Sequence, residues 1–179
     1  MARSRRSPDR RTFDALYAFL TEKREYKKSN PAAKGFFRYF GGEDLVLQYG
    51  TEFTPAPLPE KHGLQSYPSA CFRNAYKAAT PKGSPWIYVE GYAIRRLDTL
   101  GILHAWLTRA DTPGSAFDPT WKPVEDDGIV YVGIAFRREY LVKARRRSKK
   151  YGLLDAWEDR WPLLTGRDAI EDVILPVAI

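Results

Sequence analysis

Residues 69–81 have the sequence SACFRNAYKAATP, and this stretch decides how the rest of the chain is interpreted. Three alanines follow the cysteine and favour a helix over residues 71–79, which Pro81 and Gly83 then end. This assignment places Cys71 at the N-terminus of a helix, where unpaired amide groups and the helix dipole stabilise a thiolate. Cys71 is therefore a candidate nucleophile, although a lone cysteine in an arbitrary domain is more often a packing residue.

Three strand candidates follow this helix, over residues 86–94, 102–108 and 129–136. Each is rich in aromatic and β-branched residues, and Gly- or Pro-containing turns separate them. In the second strand, alternation places His104 and Trp106 on one face and the neighbouring leucines and alanine on the other.

His104 is the better of the two histidines as a base for Cys71, because a strand would hold its imidazole rigidly. Asp118 follows 14 residues later, and a strand paired through a turn at residues 112–115 would bring it back beside His104. A thiol, an imidazole and an orienting carboxylate are the groups that nucleophilic catalysis uses. The alternatives are a satisfied strand histidine at His104 and a turn-capping role for Asp118 towards Thr120.

These residues carry a resemblance to a known family. Cys71 at a helix start is followed by YVEGY at 88–92, HAW at 104–106 and DPT at 118–120. This order resembles the core of the transglutaminase-like superfamily, which belongs to the wider papain-like cysteine enzymes. The resemblance covers residues 64–136 and implies an α+β fold, with the cysteine helix packed on an antiparallel sheet of three to five strands.

The resemblance also implies roles for individual residues. Cys71 would be the nucleophile, His104 the general base and then acid, and Asp118 the residue that orients His104. Gln65 stands where papain-like enzymes carry the glutamine of the oxyanion hole. The implied activity is that of a cysteine-dependent acyl hydrolase or acyltransferase acting on an amide bond in a peptide, an isopeptide or a glutamine side chain.

The predicted strands carry further aromatic and acidic residues near the candidate site. We assign Tyr92 and Trp106 as candidate cleft residues, with Trp106 as a core residue or a wall of the site. Glu90 shares a strand face with Tyr88 and Tyr92, and we interpret it as a solvent-facing residue rather than a second polar group in the site.

The composition of the chain excludes several classes of protein. Its 179 residues fit one domain, and 29 Lys and Arg against 22 Asp and Glu give a net charge of +7. A single cysteine allows neither an intramolecular disulfide nor a cysteine-based zinc module, and we expect no metal and no cofactor. Because no apolar run of about 18 residues occurs, we expect a soluble, cytoplasmic protein with no membrane association.

We expect a single domain over residues 1–179, since no repeat or linker divides the chain. Residues 1–60 form an N-terminal helix and a proline-rich lead-in, residues 64–136 the catalytic core, and residues 137–179 a basic helix and an acidic C-terminal extension. Besides the elements already given, the patterns predict a helix over 8–26, a strand over 44–49, a loop over 51–68, and helices over 137–149 and 153–161.

Much of the positive charge lies in residues 137–150. The candidate polyanion-binding residues there are Arg137, Arg138, Arg145, Arg146, Arg147, Lys149 and Lys150. They define a second functional hypothesis, a catalytically silent superfamily member that binds protein or nucleic acid through this surface. The competing interpretation is that acidic residues between 155 and 172 neutralise the basic segment.

Overall fold

The computed structural model of the chain describes residues 10–31, 35–60, 63–64, 66–96, 98–122 and 128–176. Its helices and strands, numbered in chain order, are α1 (Arg10–Ser29), α2 (Gly42–Tyr49), β1 (Thr51–Ala56), α3 (Cys71–Ala79), β2 (Ile87–Ile94), β3 (Ile102–Arg109), β4 (Thr112–Phe117), β5 (Val130–Phe136), α4 (Arg138–Ser148) and α5 (Ile170–Val173). A 3₁₀ turn spans Trp157–Asp159. The protein is therefore mixed α+β, as the sequence predicts.

The predictions for α3, β2, β3, β5 and α4 are confirmed closely. The helix that starts at Cys71 ends at Ala79, and the three predicted strands correspond to β2, β3 and β5 with ends that move by one residue. The predicted basic helix is α4. Where residues 153–161 were expected to be helical, only the 3₁₀ turn forms, because the polar and aromatic residues there bond locally rather than in a continuous ladder.

The strand predicted at residues 44–49 is wrong, because this segment is the helix α2. Asp44 stabilises its first turn: one carboxylate oxygen accepts the backbone N–H of Phe40 at 3.0 Å, and the other accepts the side-chain amide of Gln48 at 2.9 Å. A short apolar run does not distinguish a strand from one or two helical turns by period alone. The local side-chain hydrogen bonds favour the helix.

The loop predicted over residues 51–68 is also wrong in its first third, where β1 forms. Residues 51–53 pair with β5 and residues 54–56 with β4. Pro55 lies beyond the residues that pair with β5, so its missing N–H removes no bond from that ladder. The turn expected at residues 112–115 is likewise the start of β4, and the chain reverses direction just before it, around Asp111.

The five strands close into a barrel in the order β1-β4-β3-β2-β5, with β5 returning to β1. All pairs are antiparallel except β1 with β4, which run parallel. The sheet is thus a closed mixed barrel rather than the purely antiparallel sheet that the sequence predicts. Helix α3 packs on β2 and β3, and α1 and α2 cover neighbouring parts of the barrel.

Alternation along the strands divides the apolar residues into two cores. The barrel interior holds Phe53, Val89, Ala93, Trp106, Ala116, Ile129, Tyr131 and Ala135. The opposite face of the strands packs against the helices, where Ala105 and Leu107 lie with Tyr88 and Tyr92. This division confirms the predicted faces of β3. In the described part of the chain, no helix combines the length and the apolar character needed to cross a membrane.

We predict that Gly91→Ala destabilises the barrel by roughly 1–3 kcal/mol, because a Cβ at this position would meet the Val132 carbonyl and the Gly133 backbone. Urea unfolding followed by tryptophan fluorescence measures the change. Gly152→Ala is the matched control, since its Cβ would have only contacts of 3.7 Å or longer. Equal free energies of unfolding for the two variants would contradict this account of barrel closure.

Candidate active site

The N-terminus of α3 presents Cys71 at the edge of the barrel. The helix begins at Cys71 with Ala70 as its N-cap residue, and no side chain caps it. The cysteine is partly exposed, whereas Asn74 and Ala75 in the same helix are buried. The thiol is therefore accessible at a helix end whose first backbone N–H groups lack helical partners.

His104 lies in the middle of this arrangement and is only 2% exposed. Its Nε2 lies 2.7 Å from Oδ2 of Asp118. The indole of Trp121 stacks on the imidazole with ring centroids 4.1 Å apart. Since Nε2 bonds Asp118, Nδ1 is the nitrogen left to serve the thiol. Strand, carboxylate and indole together fix the imidazole plane.

Asp118 is fully buried, and both of its oxygens are hydrogen-bonded. Oδ2 also accepts the hydroxyl of Tyr131 at 3.1 Å. Oδ1 accepts the backbone N–H groups of Thr120 at 2.8 Å and Trp121 at 3.1 Å. The two alternatives for this residue therefore coexist: one oxygen caps the turn and the other orients His104.

The electrostatics of the site favour a charged imidazole. Burial lowers the pKa of His104, but hydrogen bonding to Asp118 and the nearby Cys71 thiol raise it, and the net pKa is about 9. The pKa of Asp118 is lowered: burial opposes this shift, and the bond to His104 outweighs it. A His104 cation thus faces Cys71 at neutral pH.

Asn74 is a site residue that the sequence analysis missed. Its amide donates to the Tyr67 carbonyl at 2.8 Å and to Oγ1 of Thr120 at 2.9 Å, and its carbonyl accepts the Tyr67 N–H at 3.1 Å. It therefore ties the segment before the cysteine and the turn after Asp118 to the first turn of α3. A helical position three residues after Cys71 was the only sequence signal for it.

Glu90 corrects the solvent-facing interpretation, because it is fully buried. Its carboxylate accepts the hydroxyl of Tyr88 at 2.6 Å and the backbone N–H groups of Leu153 and Leu154 at 2.9 Å. Burial raises the pKa of Glu90 to about 7, against these hydrogen bonds. Burial, Glu90 and Cys71 all raise the pKa of Tyr88, so this phenol lies near the thiol.

The two candidate cleft residues lie in different surroundings. Trp106 is fully buried inside the barrel, where it packs against Phe53 and Tyr131 and forms no wall of an open cleft. Tyr92 lies on the opposite strand face and is 7% exposed. Gln65, the candidate oxyanion residue, lies outside the described residues.

Four of the seven candidate polyanion-binding residues contact other parts of the chain through their side chains. Arg147 forms ion pairs with Asp159 and Asp168, and Lys150 lies 3.7 Å from Glu158. Arg138 donates to the Thr80 carbonyl and the Arg145 guanidinium lies over the Tyr151 ring. Arg137 is the N-cap residue of α4, Arg146 lies in its last turn, and Lys149 is its C-cap residue. The acidic C-terminal segment thus neutralises part of this surface.

Across the residues that the structure describes, no group of three or more His, Cys, Asp or Glu side chains could hold a metal ion. Cys71, His104 and Asp118 are the groups that the fold brings together. Their arrangement can activate a thiol and transfer a proton.

We predict that Asp118→Asn lowers the pKa of His104 by at least one unit from about 9, because the amide removes the negative charge beside Nε2. NMR titration of the imidazole Cε1 proton measures this, and His62→Gln assigns the only other histidine. An unchanged pKa in Asp118→Asn would contradict the proposed electrostatic coupling.

The raised pKa of His104 also makes the free energy of unfolding depend on pH. Because the folded-state pKa of His104 exceeds its ordinary value of 6.5, the stabilisation is full below pH 6.5 and is lost as pH rises through about 9. The raised pKa of Glu90 also makes stability fall as pH rises, but this loss is largely complete once the pH exceeds about 7. Unfolding measured between pH 7.5 and 9.5 therefore reports chiefly on His104, and the decline should shrink in His104→Ala.

Asn74→Ala should lower the free energy of unfolding by about 1–3 kcal/mol, since it removes two hydrogen bonds between a buried side chain and the Tyr67 backbone. Thr120→Val is the matched control, because it removes only the bond between Asn74 and Thr120. Chemical unfolding of the two variants compares them. Equal losses would show that the bonds to Tyr67 do not stabilise this segment.

Comparisons with known proteins leave the site to be interpreted from its own geometry. No protein-family model, no curated protein and no solved structure matches the chain.

Proposed function

We propose that this protein is a cysteine-dependent acyl hydrolase or acyltransferase that acts on an amide bond in a protein or peptide. The observation that carries the proposal is the buried hydrogen bond between His104 and Asp118, beside a thiol at the N-terminus of α3. A buried imidazole with a raised pKa, oriented by a carboxylate, is the partner that a nucleophilic thiol requires.

The reaction proceeds in two steps. The Cys71 thiolate attacks the carbonyl carbon, a C–S bond forms, and the carbonyl electron pair moves to the oxygen. Backbone N–H groups at the start of α3 stabilise this oxyanion. The imidazolium of His104 then protonates the amide nitrogen, the C–N bond breaks, and an amine leaves behind a thioester on Cys71.

The thioester is then resolved by a second nucleophile. Neutral His104 removes a proton from water or from an amine as it attacks the thioester carbon. The C–S bond breaks, the acyl group leaves as a carboxylic acid or a new amide, and the thiolate and imidazolium return. Water as the acceptor gives hydrolysis, and an amine gives acyl transfer.

The fold supports the finer proposal of a transglutaminase-like or papain-like core. A helix that begins with the nucleophile packs on the strand that carries the histidine, and the acid follows the next strand. The closed mixed barrel and the flanking helices are features that this proposal does not explain. Because a catalytic thiol must stay reduced, we assign the activity to the cytoplasm.

The alternative, a catalytically silent superfamily member that binds protein or nucleic acid through its basic surface, has weaker support. Its basic segment contributes Arg147 and Lys150 to ion pairs with the C-terminal acids. The partly exposed Cys71 and the hydrogen-bonded pair of His104 and Asp118 would also have no role in such a protein. Tight binding to RNA or DNA that collapses with added salt and survives Cys71→Ser would favour it over catalysis.

We predict that iodoacetamide labels Cys71 about tenfold faster at pH 7 than it labels free cysteine, because free cysteine is only a few per cent ionised at that pH. Cys71 is the only cysteine, so intact-protein mass spectrometry reports its rate directly. His104→Ala should return the rate to that of free cysteine, and His62→Ala, the matched histidine control, should not change it.

Labelling no faster than that of free cysteine, or an unchanged rate in His104→Ala, would overturn the activated thiol. The reaction itself is followed by incubating the protein with a peptide mixture and measuring loss of ammonia, cleavage and crosslinking. Each product should disappear in Cys71→Ser.

A further inference from the structure

Two cavities adjoin on the outer face of the barrel, and the first lies beside the candidate nucleophile. It has a volume of about 420 Å³, with Ala70 and Phe72 on one side and Tyr151 and Gly152 on the other. Ala70 and Phe72 are the chain neighbours of Cys71. This cavity therefore adjoins the start of α3, where Cys71 lies.

The second cavity is larger, about 810 Å³, and lies between α1 and residues 37–43. Leu103 and Asp155 line both cavities, so the two form one groove that leads away from Cys71. The volume of the larger cavity lies within the range of small-molecule binding sites.

Alternate residues of β2 run from the neighbourhood of Cys71 to the larger cavity. Tyr88 lies near Cys71, Glu90 lines the first cavity and Tyr92 lines the second. A strand rises about 3.3 Å per residue, so Tyr88 and Tyr92 are roughly 13 Å apart along the strand. That distance matches about four residues of an extended peptide.

Six of the seventeen residues that line the larger cavity are aromatic. They are Phe19, Tyr26, Phe37, Phe40, Tyr92 and Trp161. The rings of Phe37 and Trp161 pack edge to face at 5.5 Å, and those of Phe19 and Tyr92 lie 6.5 Å apart. Such surfaces favour another aromatic ring, through burial and edge-to-face contact.

Charged residues in the same cavity already have partners. Lys27 pairs with Glu43 at 2.6 Å, Asp155 accepts the indole N–H of Trp161 at 3.0 Å, and the ammonium of Lys23 lies over the Phe19 ring. With two lysines and two acids the lining has no net charge. It therefore suits a neutral apolar group rather than a phosphate or a carboxylate.

Buried hydrogen bonds fix the wall between the two cavities. Glu90 accepts the N–H groups of Leu153 and Leu154, which directly precede Asp155. On the other side of the cavity, Gly42 leaves just enough room for the hydroxyl of Tyr92, because a Cβ would approach it to 3.2 Å. Buried hydrogen bonds therefore hold the residues that form the groove in place.

We propose that this groove binds an extended peptide substrate and that the larger cavity selects a neutral aromatic side chain, about three or four residues from the amide that reacts at Cys71. This inference rests on the proposed function for the position of the reacting amide. The aromatic preference rests on the cavity alone. Residues 19–30, 37–43 and 155–164, outside the segment that resembles the papain-like core, supply most of the selective surface.

The test compares two covalent probes, chloroacetyl-Gly-Gly-Phe amide and chloroacetyl-Gly-Gly-Ala amide, on the full chain. We expect the Phe probe to label Cys71 about tenfold faster, with a rate that saturates as binding precedes alkylation. Phe19→Ala and Phe37→Ala should each reduce this ratio several-fold. Leu100→Ala is the matched control, because Leu100 is an exposed apolar residue outside the cavity lining, and it should retain the ratio.

The outcomes separate this inference from the proposed function. Equal rates for the two probes on the wild-type protein would overturn the aromatic site, even if iodoacetamide still labels Cys71 rapidly. A Phe preference that survives in both Phe19→Ala and Phe37→Ala would also overturn it, because the selective surface would then lie elsewhere. Slow labelling by iodoacetamide together with an intact Phe preference would instead contradict the activated thiol. The aromatic binding site would then still be supported.

Discussion

The packing of Trp106 against Gly133 inside the barrel is the constraint on which the active site depends. A Cβ at Gly133 would meet the Trp106 indole at 2.5 Å, so a larger residue there would displace the ring. Gly91 pairs with His104 on one side and with Gly133 on the other. These glycines let β2, β3 and β5 close around a large indole. The position of His104, two residues before Trp106, follows from that closure.

The site itself forms where the pairing of β3 and β4 ends. The last partners are Leu107 and Phe117, and the following residue, Asp118, turns towards His104 beyond the ladder. A fully buried carboxylate is costly unless it is well bonded. Asp118 meets this requirement with two backbone donors, a tyrosine hydroxyl and an imidazole cation. The groups that make its burial tolerable are therefore the ones that orient the base.

Local sequence patterns predicted the positions of Cys71 and His104, because these depend on residues nearby in sequence. Alanine content placed Cys71 at a helix start, and strand alternation placed His104 on the face of Trp106. Glu90 could not be predicted, because its partners Leu153 and Leu154 are more than 60 residues away in sequence. Helix α2 and strand β1 were missed for other reasons: local hydrogen bonds of the Asp44 side chain favour the helix, and β1 changes its pairing partner between Phe53 and Thr54.

Two buried carboxylates on opposite faces of the sheet have opposite electrostatic environments. Asp118 lies beside a cation and its pKa is lowered, whereas Glu90 has only neutral donors against the cost of burial and its pKa is raised to about 7. The first stabilises charge at His104, and the second holds the wall of the groove through Leu153 and Leu154. Cys71 lies where these two regions meet. Chemistry and selectivity are consequently built mostly from different parts of the chain. Helix α3, strand β3 and the turn after β4 supply the triad, whereas residues 19–30, 37–43 and 155–164 supply most of the larger cavity, so selectivity can change while the triad geometry stays fixed.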